Sequence, residues 1–180
     1  MKLFFRKNLA LNSGFTLLEA LIAISIFTTS ILALLSIMTN GIANTNYAKN
    51  KIVASYLAEE GVERVRNMRD NLVLFHSEGS QVGWDEFQAL VSPGCDDGCR
   101  LDDADLNNLI ECEESCPALL YDATSGKYNY SSGVGSGYVR TIQAELFGVD
   151  EIKISSSVSW TQGSGVKEVT FSESVFNWIE

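Results

Sequence analysis

The chain has 180 residues, with 13 Lys+Arg against 23 Asp+Glu and a formal net charge of −10. That length accommodates one compact domain plus one elongated element, not two large domains, and 46% apolar with 20% charged residues excludes a disordered chain. Residues 71–180 hold 18 acids against five bases, which argues against a broad nucleic-acid-binding face, and a single His argues against a zinc hydrolase.

Residues 1–14 contain Lys2, Arg6 and Lys7 and no acid. Residues 15–38 follow as an apolar run in which 17 of 24 side chains are apolar and Glu19 alone is charged. As a helix the run is roughly 36 Å long at about 1.5 Å per residue, enough for a hydrocarbon core of about 30 Å. The basic residues before it predict that residues 1–14 stay in the cytoplasm and the body lies outside. A cleaved secretory signal has an apolar core of about 7–15 residues, shorter than this one. A plain signal anchor fits the length but gives Glu19 no role. A carboxylate in a bilayer costs about 2.5–3.5 kcal/mol, although Glu19 sits only about one turn inside the run and can snorkel.

The basic leader, Gly14-Phe15-Thr16-Leu17-Leu18-Glu19 and the apolar helix together resemble the class III leader of type IV prepilins and pseudopilins. The resemblance implies that a prepilin peptidase cuts the Gly14–Phe15 bond and N-methylates Phe15. It also implies that Glu19 pairs with the Phe15 amine of a neighbouring subunit during assembly. The implied partners are other pilin or pseudopilin subunits, the peptidase, an inner-membrane assembly platform, and membrane lipid before assembly. The implied location is a single pass through the inner membrane, then a filament at the cell surface. An apolar bundle tolerates a carboxylate matched by an amine far better than a lone one.

Residues 43–72 contain no proline and place Val53, Leu57, Val65, Met68 and Leu72 on one stripe, with Gly61 in its empty slot. Glu60–Arg64 and Arg66–Asp70 are expected i,i+4 pairs, and Glu63–Arg66 an i,i+3 pair. A single helix over 15–71 would span about 85 Å. Many pilins have a proline in the membrane half; here Ser36, Asn40 and Gly41 are the expected weak points. The segment 57–64 and the modest size resemble a minor pilin of the pilus-modification kind or a secretion pseudopilin.

The expected organisation is a leader (1–14), an assembly helix (15–42), its amphipathic continuation (43–72), an acidic Cys-containing loop region (73–118) and an antiparallel sheet (119–180). Strands are expected at 119–122, 127–130, 138–146, 151–160 and 166–176, with a turn at the glycine-rich 133–137. The fold class is therefore α+β, a long N-terminal helix packed on a C-terminal antiparallel β-sheet head.

Cys95, Cys99, Cys112 and Cys116 cluster within 22 residues. Their surrounding acids and an exported setting favour disulfides, with three connectivities open, over a four-thiolate metal site. No cofactor is required. Asp103, Asp105, Asn107, Glu111 and Glu114 match EF-hand ligand spacing, so calcium is a second possibility for this loop, although Asn108 stands where glycine is expected. A solvated acidic loop is the simpler reading. His76 has no partner evident in sequence and is expected on the surface. Trp84, Trp160 and Trp178 are expected in the core or in subunit contacts. Asn129-Tyr130-Ser131 fits a glycosylation sequon, and Arg100, Lys127, Arg140 and Lys167 form the minor basic surface that DNA could touch. No nucleophile–base pair, Walker loop or dinucleotide fingerprint is present, so no enzyme is expected. The expected function is a structural subunit of a type IV pilus or type II secretion pseudopilus. The alternative is a signal-anchored extracellular binding domain, calcium-dependent or not, that does not polymerise.

Overall fold

The computed structural model describes residues 14–92, 94–101, 103, 105 and 108–177. The chain divides into two compact units, residues 1–45 and 46–180. Helix α1 (Leu17–Phe75, 59 residues) runs through both, without a proline to interrupt it.

In the first unit every side chain from Leu17 to Thr45 is exposed except that of Ala20. Hydroxyl residues inside this apolar stretch satisfy themselves locally. Thr28, Thr29 and Ser30 donate to the carbonyls of Ile24, Ser25 and Ile26 one turn back, at 3.0, 3.0 and 2.7 Å. Polar side chains are thus accommodated in a helix long and apolar enough to cross a membrane.

In the second unit the stripe Ala54, Leu57, Ala58, Gly61, Val62, Val65, Met68 and Val73 of α1 is buried. A second helix, α2 (Ser80–Val91), buries Gly83, Trp84, Phe87 and Val91. Seven strands follow: β1 (Cys99–Leu101), β2 (Leu109–Glu111), β3 (Ala118–Asp122), β4 (Lys127–Asn129), β5 (Val134–Leu146), β6 (Glu151–Gln162) and β7 (Gly165–Phe176). They form one sheet in which each pairing is antiparallel. β5, β6 and β7 are the long strands. The other edge of β5 is shared by β1, at Ile142, and β3, at Val139 to Val134.

Strict alternation on β6 explains the layering. Ile152, Ile154, Ser156, Val158 and Trp160 are buried, and the residues between them are half-exposed. Two buried clusters result, one of Val65, Met68, Trp84, Phe87, Ile142 and Ile154 with their neighbours, the other of Ala54, Leu57, Leu119, Tyr138 and Trp160 with theirs. Gly61 lets α1 approach this face, because a Cβ there would stand 2.3 Å from Ser156 Oγ. Gly83 does the same between the helices, where a Cβ would meet the Leu72 carbonyl oxygen at 2.1 Å.

The fold class and the five expected strands are present. Three expectations are corrected. The segment after α1, expected as loop with short helices, holds the short helix α2 and also two strands, β1 and β2, that were not expected. The glycine-rich segment is mostly strand, with β5 beginning at Val134. Gly133 lies close against β3, where a Cβ would meet Tyr121 O at 2.4 Å. Arg66 turns to Glu63, at 2.9 Å, and to Glu173 of β7, while Asp70 pairs with Arg69 at 2.7 Å. The strand brings a carboxylate that helix spacing could not reveal. The Glu173 hydrogen bond raises the Arg66 pKa further above its ordinary value.

Candidate functional site

The assembly candidates lie at the start of α1. Gly14 and Phe15 precede the helix, and Phe15 is 71% exposed. Thr16 caps it: its hydroxyl accepts the Glu19 N–H at 3.2 Å, and its carbonyl accepts the Ala20 N–H at 3.1 Å. Thr16-Leu17-Leu18-Glu19 is thus a capping-box sequence, with Glu19 in the first turn where the helix dipole favours an acid. Sequence reasoning gave Glu19 one role and missed Thr16, although the T-x-x-E spacing signals it. Lys2, Arg6 and Lys7 lie outside the described residues.

The cysteines pair sequentially, Cys95 with Cys99 and Cys112 with Cys116, each with Cα atoms 5.0 Å apart. Cys95 and Cys99 are buried in the larger cluster; of the second pair, Cys116 is buried at 5% exposure and Cys112 is half-buried. The two loops are joined by a hydrogen bond from Cys112 N–H to Gly98 O at 2.9 Å.

The calcium candidates are dispersed. Asp103 accepts the Tyr130 N–H, Glu111 is on β2, Glu114 is in the second disulfide loop, and the Asp105 carbonyl accepts the Asn108 N–H. Asn107 lies outside the described residues. Among the described residues no group of three or more His, Cys, Asp or Glu side chains is placed to hold a metal ion.

Other residues take positions that local sequence concealed. His76 has a carboxylate partner after all: Nε2 lies 3.2 Å from Glu86 Oε2, supplied by α2. Arg140, expected on a basic surface, is 3% exposed. Its Nη1 donates to Leu57 O and to Glu60 Oε2, each at 3.3 Å. It therefore pins β5 to α1 and is not available to a phosphate. Tyr130 lies under two guanidinium groups, those of Arg100 and Arg140, at 5.3 and 5.8 Å from the ring centroid. Trp84 and Trp160 are buried, and Trp178 lies outside the described residues. Asn129 Oδ1 accepts the N–H groups of Ser131 and Ser132, so the sequon is folded into its own turn.

On the β3–β4 turn the Thr124 N–H and the Ser125 hydroxyl hold the Asp122 carboxyl below its ordinary range. Burial raises the phenols of Tyr128 and Tyr138, which pack edge to face.

Comparison of the chain with protein-family models, with curated proteins and with solved structures finds no match.

Proposed function

We propose that this chain is a filament subunit of the type IV pilin and pseudopilin kind, anchored by α1 in the inner membrane until it assembles. The observation that carries the proposal is the junction at Gly14-Phe15. An exposed Gly14-Phe15 junction stands just before an unbroken apolar helix with one acid in its first turn. Cutting there leaves the apolar helix on the mature chain with a new amine four residues from Glu19. Exposed apolar side chains along residues 17–42 need lipid or sister helices around them. A Glu19–amine pair between subunits would set the register of such helices, as a single polar group does in a coiled coil.

One observation favours the alternative of an anchored, non-polymerising domain: Glu19 stands in the first turn of α1, at the acid position of a T-x-x-E capping-box sequence, where the helix dipole alone favours a carboxylate. Glu19→Gln separates the two. Glutamine serves a capping box as glutamate does, so a monomeric anchor should keep its membrane level and helix. A filament subunit should lose its register charge, and its incorporation into filaments sheared from the native cell should fall at least about tenfold, the effect of leaving a buried amine unpaired. Wild-type incorporation of Glu19→Gln would remove the pairing role.

A further inference from the structure

The face of the sheet opposite α1 carries an open trough that the assembly reading does not use. Its floor is made by alternate residues of β5 and β6, Thr141 and Gln143 beside Ser155, Ser157 and Ser159. The row continues onto β7, where Ser155 shares a hydrogen bond with Ser172 at 3.0 Å and Ser157 one with Thr170 at 2.7 Å. Between the Glu145–Lys153 pair at one end and Glu168, opposite Ser159 on β7, at the other, the floor is uncharged and made of hydroxyl and amide groups and Val139, in a chain of net charge −10. Two clefts of about 560 Å³ each open along it, one beside Asp96 and one beside Glu113 and Glu114.

The wall is built from the two disulfide loops. It is seated on the floor, since Gln143 Nε2 donates to Asp96 O at 3.3 Å and a Cβ on Gly98 would meet Thr141 Cγ2 at 2.7 Å. Asp96, Asp97, Glu113 and Glu114 are exposed on it and make no ion pair among the described residues. Each loop is closed over four residues by its disulfide, so the carboxylates are held before any ligand arrives. Glu145 and Lys153, which lie opposite each other at one end, are the other charged residues lining the clefts.

We propose that this trough binds an extended, Lys- or Arg-rich peptide segment of a partner protein. The carboxylate wall matches cationic side chains, and the hydroxyl and amide floor can hydrogen-bond a peptide main chain. The same wall repels phosphate and anionic lipid. No aromatic ring lines either cleft to stack on a sugar. Binding rests on the head alone. Only its display to the outside rests on the filament reading, in which helices gather together and the face opposite α1 turns away from them.

The test uses the full chain in dodecyl maltoside and a fluorescein-labelled peptide of alternating Lys and Ser, followed by anisotropy. Saturable binding is expected, and a peptide of alternating Glu and Ser should not bind. Neutralising the wall (Asp96→Asn, Asp97→Asn, Glu113→Gln, Glu114→Gln) should weaken binding about tenfold. Neutralising Glu59, Glu63, Glu78 and Glu86 changes net charge equally and should leave it within about twofold. Ser159→Trp fills one cleft without changing charge and should block binding; Ser155→Trp tests the other cleft should the first variant not fold. Equal weakening by the two neutralised sets would reduce the effect to general attraction by an acidic chain and overturn the site. Absence of saturable binding, or tighter binding of a chitosan oligomer than of the peptide, would overturn it as well. Because the detergent-held monomer is measured, failure here leaves the assembly reading untouched, and failure of assembly leaves this site untouched.

Discussion

At the scale of single residues, the head is organised by close approach. Gly61 sits over Ser156, a buried hydroxyl without a hydrogen-bond partner among the described residues, and beside Arg140 Cδ at 3.3 Å from the position of a Cβ. Any larger side chain must displace both neighbours. Gly61→Val is therefore expected to destabilise the head by about 2 kcal/mol, outweighing any gain in helix propensity over glycine. Thermal unfolding by near-ultraviolet circular dichroism checks it, and Gly61→Val combined with Ser156→Gly should recover part of the loss. The stripe reading left a slot at Gly61 before any sheet was placed against it, because a 3.6-residue period leaves few positions free. Arg140 was not legible in this way. Its sequence neighbours alternate like those of any surface strand, and only the helix 80 residues earlier supplies the carboxylate and carbonyl that hold it inside.

At the scale of elements, what was legible follows the length over which a pattern repeats. α1 and the three long strands repeat their periods many times, and their extents agree with expectation to within a few residues. β1 and β2 have three residues each, too few for alternation to register. α2 was expected only as a short helix without bounds, for a different reason. Gly79 and Gly83 read as loop residues, yet Gly83 lies inside the helix because two helices cross there. Nor does spacing choose among disulfide pairings, since two Cys-x3-Cys units permit three; the order of α2, β1 and the following loop brings sequence neighbours together.

The two bridges differ in surroundings, and this gives a prediction. Each closes a loop of similar length and constrains the unfolded chain by about 2 kcal/mol on the chain-entropy model. Cys95 and Cys99 are at 0% and 1% exposure, so Cys95→Ser with Cys99→Ser also places two hydroxyls in the apolar core. That variant should lose about 1–3 kcal/mol more than Cys112→Ser with Cys116→Ser, by urea denaturation. Mild reductant followed by thiol alkylation and peptide mass mapping should label Cys112 and Cys116 first.

At the scale of the whole molecule, one helix runs through two units whose surfaces differ. Residues 17–42 present Leu, Ile and Phe outward, whereas within residues 46–75 one stripe, Ala54, Leu57, Ala58, Val62, Val65, Met68 and Val73, is buried against a disulfide-bonded sheet. A chain of this kind is stable as a monomer only while something apolar surrounds its first half, and lipid and sister helices are interchangeable in that respect. On the filament proposal, polymerisation would need a switch from lipid to protein contacts, and a freshly cut amine near Glu19 would provide a pairing that lipid does not.

That account depends on the cut, so the decisive measurement is intact mass with N-terminal sequencing of the protein extracted from the membranes of its native cell. The filament account predicts a mature chain that begins at N-methyl-Phe15. A chain beginning at Met1, in cells whose prepilin peptidase is active, would leave an anchored domain and contradict it; a start near Asn44 would make it an ordinary secreted protein.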